Sequence, residues 1–217
     1  MRKYILTGIL ALTVVLMLNS CKKYLDVVPD NIATIDNAFT MRTQAEKFLF
    51  TCFSYMPKDA NMSGNPALGG DEIWRLQTDN SETFAISRNL QNVVNPMGNG
   101  YWDGLYQGLR DCNIFLENVG KVPDLSDGER ARWIAEVKFL KAYYHYYLVR
   151  MYGPIPLIKT NLPIDADVNE VKVFRDPVDS CFNYISSLLD EAAAGLPKTV
   201  ISPATEAGRV TQPIALS

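Results

Sequence analysis

The chain has 217 residues, 47% of them apolar and 21% charged, with 21 Lys and Arg against 24 Asp and Glu for a net charge of −3. That length suits one large domain or one and a half ordinary ones, and the absence of any extended basic run excludes a nucleic-acid footprint. Its four cysteines form no C-x-x-C pair, which excludes the common zinc and redox motifs.

Arg2 and Lys3 precede an almost unbroken apolar run from Tyr4 to Leu18, and polar Lys22-Lys23 follows Cys21. A basic start, an apolar stretch and a small residue before the cut predict a secretory signal over residues 1–20. Leu18 stands three places before Cys21 and Ser20 one place before it, as in a bacterial lipobox, although Asn19 departs from the usual small or β-branched residue. Cys21 is then the lipid attachment residue, and through that lipid the chain is expected at a membrane surface. Each buried methylene contributes about 0.8 kcal/mol, so one acyl chain holds a protein marginally and several hold it firmly. The alternatives are a plain signal peptide or a membrane span, for which the apolar run is short of about 20 residues.

Residues 21–36, broken by Pro29-Asp30-Asn31, read as a lipid-anchored tether without sustained periodicity. Residues 37–217 then form the helical domain. Thr43-Gln44-Ala45-Glu46 has the form of a capping box, and Ala45, Phe48, Leu49, Cys52, Phe53 and Met56 follow at helical spacing until Pro57. Residues 57–98 lack that spacing, hold glycines 64, 69, 70 and 98 and asparagines 61, 65, 80, 89, 92 and 95, and exceed the roughly 15 residues beyond which loops are uncommon unless functional or disordered. A second helix is predicted from about Gly100 to Val119. A third opens at the capping box Ser126-Asp127-Gly128-Glu129 and stops at Gly153-Pro154. The short link over 120–126 predicts an antiparallel αα-hairpin. Asp176 as N-cap with Pro177 at the first helical position starts a fourth helix. Its apolar stripe runs from Val178 through Cys181, Phe182, Ile185, Leu188, Leu189 and Ala192 to a C-cap at Gly195. A fifth helix begins near Thr211. The class is mainly α, in helix pairs. Cys52, Cys112 and Cys181 sit among apolar residues, so buried free thiols are favoured over a disulfide.

Nothing in the chain assembles a catalytic signature. His145, the single histidine, lies inside a helix in Tyr143-Tyr144-His145-Tyr146-Tyr147 and is expected to pack rather than act as a base. Asp71-Glu72 are adjacent, whereas a glycosidase pair faces across about 5–9.5 Å. Gly98, Gly100 and Gly104 have the wrong spacing for a dinucleotide loop, and no metal-ligand spacing occurs. Neither a cofactor nor a metal is expected. A sugar binder needs aromatic platforms beside planar hydrogen-bonding side chains, and the 57–98 loop holds both. Trp74 flanked by Asp71 and Arg75 is the first candidate contact, with Asn92 and Asn95 beside it. The competing reading is that Trp74 anchors the loop to the helices. Trp102, Tyr106, Asn113, Tyr144 and Tyr152 lie on helix stripes and read as scaffold.

Five blocks carry a resemblance. Lys23-Tyr24-Leu25-Asp26-Val27-Val28-Pro29 follows the lipid cysteine. Trp102, Tyr106, Cys112-Asn113 and Leu116 share one helix. Glu136 with Phe139-Leu140-Lys141-Ala142 leads to Tyr152-Gly153-Pro154-Ile155-Pro156-Leu157. Arg175 to Pro197 forms the fourth block and Gly208-Arg209-Val210-Thr211 the fifth. In order and spacing these resemble the SusD/RagB family of outer-membrane nutrient-binding lipoproteins, with Lys141 where that family usually has Arg and Gln212-Pro213 unusual after the last block. Family members are far longer, so the chain resembles an amino-terminal portion, truncated at its carboxyl end. The resemblance implies tetratricopeptide-like helical pairs with long irregular loops. It also implies capture of a glycan or peptide nutrient at the cell surface, without turnover, for a SusC-like TonB-dependent outer-membrane transporter. A helical-repeat scaffold that holds another protein and no small ligand of its own is the alternative.

Overall fold

The computed structural model describes residues 35–58, 87–90, 92, 94, 99–163 and 165–217. The chain divides into two units, Met1–Ile35 and Asp36–Ser217, and the described residues belong almost wholly to the second. A 3-10 turn at Asp36–Phe39 precedes α1 (Arg42–Ser54), α2 (Asn99–Asn118, continued by a 3-10 turn at Val119–Lys121) and α3 (Asp127–Tyr152). Then come α4 (Val178–Gly195) and two short helices, α5 (Pro203–Glu206) and α6 (Gln212–Leu216). Among the described residues the only β pairing is an isolated antiparallel bridge between Ile155 and Asp176. The chain is therefore mainly α, as its periodicity predicts.

The helices stack as antiparallel neighbours. Trp102 meets Tyr152 while Asn113 meets Lys141, so α2 and α3 run in opposite directions. Lys138 reaches Glu191 while His145 meets Tyr184, which gives α3 and α4 the same relation. The long α3 is central, packing against α1, α2 and α4. It buries Trp133, Val137, Leu140, Tyr144, Tyr147 and Leu148. Burial of such side chains, roughly 1.5–3 kcal/mol each, is the main favourable term for this fold.

Two close approaches set the spacing. A Cβ on Gly108 of α2 would lie 2.9 Å from Cβ of Tyr55 and 3.0 Å from a ring carbon of Tyr144. A Cβ on Gly195 would lie 2.8 Å from Cβ of Ala135. Gly195 is thus the last residue of α4, pressed against α3, and the C-cap position falls to Leu196.

Helix ends differ from the sequence expectation where a side chain finds a better partner. The Thr43–Glu46 box does not form. Met41 is the N-cap of α1 without a side-chain bond, and Glu46 instead pairs with Arg42 at 3.0 Å. Asp176 does not cap α4, whose N-cap is Pro177, because its carboxylate accepts from the Leu157 amide at 2.9 Å. The Ser126 cap does form, accepting from the Glu129 amide at 3.4 Å and donating to the Glu129 carboxylate at 3.0 Å. Phe182, assigned to the buried stripe of α4, lies on its flank and is 45% exposed. α3 ends where Gly153 takes φ +70°, a conformation that favours glycine.

Cys52, Cys112 and Cys181 are all free and buried. Cys52 on α1 and Cys112 on α2 are neighbours, and the thiol of Cys52 is pushed far up by its hydrogen bond with Cys112 and by burial. Thiolate is the reactive form. The native chain is therefore expected to leave all three thiols unlabelled by a maleimide at neutral pH and to label them on unfolding in urea. Stoichiometric labelling of the native protein at Cys52 would contradict this packing.

Candidate functional site

Of the residues singled out for ligand contact, Asp71, Trp74, Arg75 and Asn95 lie outside the described residues, as does Cys21. Asn92 is exposed, and its carboxamide organises a local turn. Its Oδ1 accepts from the Val94 amide at 3.0 Å and its Nδ2 donates to the Leu90 carbonyl at 3.3 Å.

The motif residues meet in space. The Trp102 ring lies 5.0 Å from Tyr106 and 5.1 Å from Tyr152, edge-on to the latter, with the Arg175 guanidinium 5.1 Å over it. Arg175 also donates to the carbonyls of Tyr152 at 3.4 Å and Pro154 at 3.1 Å. Tyr106 donates its hydroxyl to the Pro156 carbonyl at 3.0 Å, and burial pushes its pKa up. Asp176 binds the same segment through the Leu157 amide and, from its own amide, the Ile155 carbonyl at 2.8 Å. Residues 154–157 are thus fastened by three of the sequence blocks together, a scaffold role for Trp102, Tyr106 and Tyr152 as their helical spacing predicts.

A second cluster joins the Cys112-Asn113 and Phe139-Leu140-Lys141-Ala142 blocks. Lys141 is only 3% exposed, and its ammonium donates to Asn113 Oδ1 and to the Lys159 carbonyl. Burial lowers its pKa. Asn113 Nδ2 donates to Asn161 Oδ1 at 3.1 Å, and Asn161 Nδ2 donates to the Arg110 carbonyl at 3.0 Å. One turn along α3, His145 is fully buried and packs edge-on to Tyr184. Its Nδ1 lies 2.7 Å from the Lys141 carbonyl, and its Nε2 accepts from the Ile158 amide at 3.3 Å. That geometry requires a neutral ring with its proton on Nδ1. Burial pushes the pKa of His145 down to about 4. It is a packed histidine, as expected.

Between α2 and the segment after Pro156 these bonds leave a groove of about 520 Å³. Its lining includes Tyr106, Arg110, Leu157, Lys159, Thr160 and Asn161. The sequence reading missed it. Its walls come from the middle of α2 and from irregular backbone with no periodicity, and the only signal was Lys141 standing where the family usually has Arg. Among the described residues no cluster of three or more His, Cys, Asp or Glu could hold a metal ion. No helix among them is long and apolar enough to cross a membrane.

The third cluster is a clasp on the last block. Glu136 is fully buried and takes Nε of Arg132 and Nε of Arg209, each at 3.1 Å, on one oxygen, and Nη2 of Arg209 on the other. Arg132 in turn grips Glu206 through two bonds, at 2.9 and 3.1 Å.

Comparison with known proteins agrees with this architecture. The SusD-like family described as starch-binding and associating with the outer membrane matches residues 23–216. A SusD-like protein of Formosa agariphila is 23% identical over 212 residues, which span 89% of this chain and 38% of that relative. The chain therefore spans well under half the length of the curated relative it matches. A SusD-like protein from Bacteroides fragilis superposes with a TM-score of 0.71 at 22% identity, over 86% of this chain and 35% of the other. A laminarin-binding SusD-like protein gives 0.70 at 25% identity, over 82% and 38%. Surface glycan-binding protein A from Bacteroides uniformis gives 0.66 at 20%, over 80% and 39%. A family match along nearly the whole sequence, with motif residues that meet as clasps between helices, makes this chain a member of the SusD-like family.

Proposed function

We propose that the chain is the amino-terminal part of a lipid-anchored surface protein that binds a glycan and passes it to a SusC-like TonB-dependent transporter, without cleaving it. The observation that carries this reading is the family match over residues 23–216. The laminarin-binding relative, similar over 82% of this chain, supports a sugar as the ligand. In this reading residues 1–20 are a removed signal, Cys21 carries the lipid, residues 21–36 are the tether and 37–217 the binding domain. The sugar contacts are Trp74 as platform, with Asp71, Arg75, Asn92 and Asn95 as hydrogen-bonding partners.

Cys21→Ala is expected to move the chain from the membrane fraction to the soluble one, because several acyl chains are lost together. Trp74→Ala is expected to weaken retention in gels containing laminarin or starch by about tenfold, equivalent to roughly 1.4 kcal/mol. Recovery of a large β-barrel partner with no retention of any glycan would favour the protein scaffold instead. Release of new reducing ends from a polysaccharide would overturn the non-catalytic reading.

A further inference from the structure

We propose that the groove between α2 and residues 157–161 is a second sugar site that takes an acidic unit, a uronate or a sulfate ester. This rests on the glycan-binding reading above and uses residues other than those assigned there to sugar contact. The chain is acidic overall, with a net charge of −3. Among the described residues the groove nevertheless has two cations in its lining, Arg110 and Lys159, and no carboxylate.

Asp111, next to Arg110 in sequence, and Asp176, bonded to the lining residue Leu157, both have partners of their own. Asp111 accepts from the Tyr55 hydroxyl at 2.8 Å, and Asp176 holds the Leu157 amide. The Lys159 ammonium stands 5.2 Å over the Tyr184 ring, a contact that leaves its charge intact.

A third cation stands behind the wall. The buried Lys141 ammonium is held by the neutral oxygens of Asn113 and Lys159, and Glu117 and Glu191 act on it only at longer range. Among the described residues it has no ion pair. A buried charge whose hydrogen-bond partners are all neutral projects part of its field through low-dielectric protein into the adjoining cleft. The wall between is cross-linked, with Asn161 tied at one end of its carboxamide to Asn113 and at the other to the Arg110 carbonyl.

The shape and surface suit a sugar. A volume of about 520 Å³ lies within the 300–1,000 Å³ usual for small-ligand sites. The Tyr106 ring and Leu157 offer an apolar floor for the C–H face of a pyranose, and Thr160 and Asn161 stand at its polar edge. The Arg110 guanidinium supplies the planar fork that pairs with a carboxylate or sulfate through two parallel bonds.

The test is isothermal titration of the full chain with three oligosaccharides. Oligogalacturonate carries only carboxylates, κ-carrageenan oligosaccharide only sulfate esters, and laminarin oligosaccharide neither. One or both acidic probes are expected to bind at least tenfold more tightly than laminarin in low salt, and to lose that advantage as salt rises. The double variant Arg110→Gln with Lys159→Gln is expected to abolish the advantage while leaving laminarin binding unchanged. Which acidic probe responds identifies the acid group. Equal binding of acidic and neutral probes, or an acidic preference that survives the double variant, overturns the groove assignment alone. Binding of no glycan at all overturns the underlying glycan reading with it.

Discussion

Replacing Glu136 with Ala is expected to destabilise the chain by about 3–5 kcal/mol, the usual cost of removing one partner from a buried ion cluster. Glu136 is fully buried, while the side chains of Arg132 and Arg209 that bind it are 14% and 10% exposed. The two cations and the carboxylates of Glu136 and Glu206 balance in charge. Without Glu136 the Arg209 guanidinium loses its bonded carboxylate and keeps its contact 5.8 Å over the Phe50 ring and a longer-range attraction to Glu206, which Arg132 holds. Two largely buried cations then share one carboxylate, which is what makes a half-broken cluster costlier than none. Segment 202–211, which hangs on α3 through these bonds, should detach first. Urea unfolding followed by circular dichroism measures the effect, and a loss under about 1 kcal/mol would mean that the clasp is not the anchor described. Glu206→Ala should cost less, because its carboxylate is partly exposed and such pairs contribute about 0–1 kcal/mol.

Acidification is expected to weaken the fold through His145, beginning above the pH at which ordinary carboxylates titrate. Its folded pKa of about 4 lies below the ordinary value of 6.5. Between those two values the unfolded chain binds the extra proton and the folded chain does not, so stability rises with pH across that window. The contribution is complete above about pH 6.5 and is lost as pH falls through about 4. At 1.36 kcal/mol per pH unit, the full effect is about 3 kcal/mol. The cause is geometric as well as dielectric. Burial comes first, and a second proton on Nε2 would also face the Ile158 amide, which already points there at 3.3 Å. The Lys141 ammonium one turn away adds repulsion. Glu206, whose carboxyl Arg132 holds below its ordinary range, loses its contribution only at lower pH, so the two effects separate. Unfolding free energies at pH 7 and pH 4.5 should differ in the wild type, and His145→Gln should flatten the difference. An unchanged slope in that variant would assign the acid sensitivity elsewhere.

The helical parts of this fold were legible because their chemistry is local. Spacings such as Leu105, Leu109 and Cys112 on α2, or Val137, Leu140 and Tyr144 on α3, announce a buried stripe, and all six are at most 1% exposed. The Ser126 cap of α3 formed even though Arg42 also binds Glu129, because Arg42 takes Oε1 and leaves Oε2 to the Ser126 hydroxyl. Thr43 and Asp176 had equally good local signals, and other partners overrode both: Arg42 took Glu46, and the Leu157 amide took the Asp176 carboxylate. The family motifs were legible as strings but not as contacts. Only folding brings Glu136 to Arg209, 73 positions away, or Arg175 to the face of Trp102. The groove was illegible for the same reason. Arg110 and Lys159 belong to different segments, and Lys141, which charges the wall behind them, sits in an apolar block that suggests a plain core helix. The placement of Asp71, Trp74, Arg75 and Asn95 lies outside the described residues, so their assembly into a site stands on residue type alone.

The segment from Pro154 to Asn161 has no helix and a single bridge, yet its polar backbone is largely occupied. Carbonyls of Pro154, Ile155, Pro156 and Lys159 accept from Arg175, Asp176, Tyr106 and Lys141, and amides of Leu157 and Ile158 donate to Asp176 and His145. Slow hydrogen–deuterium exchange is ordinarily the mark of regular secondary structure, but it follows the free energy of opening rather than the shape of the backbone. Here the amide protons of Leu157 and Ile158 should persist in heavy water alongside those of the central helix, and trypsin should spare the bond after Lys159 although that side chain faces solvent. A stretch of coil would then behave as one of the last parts of the molecule to breathe.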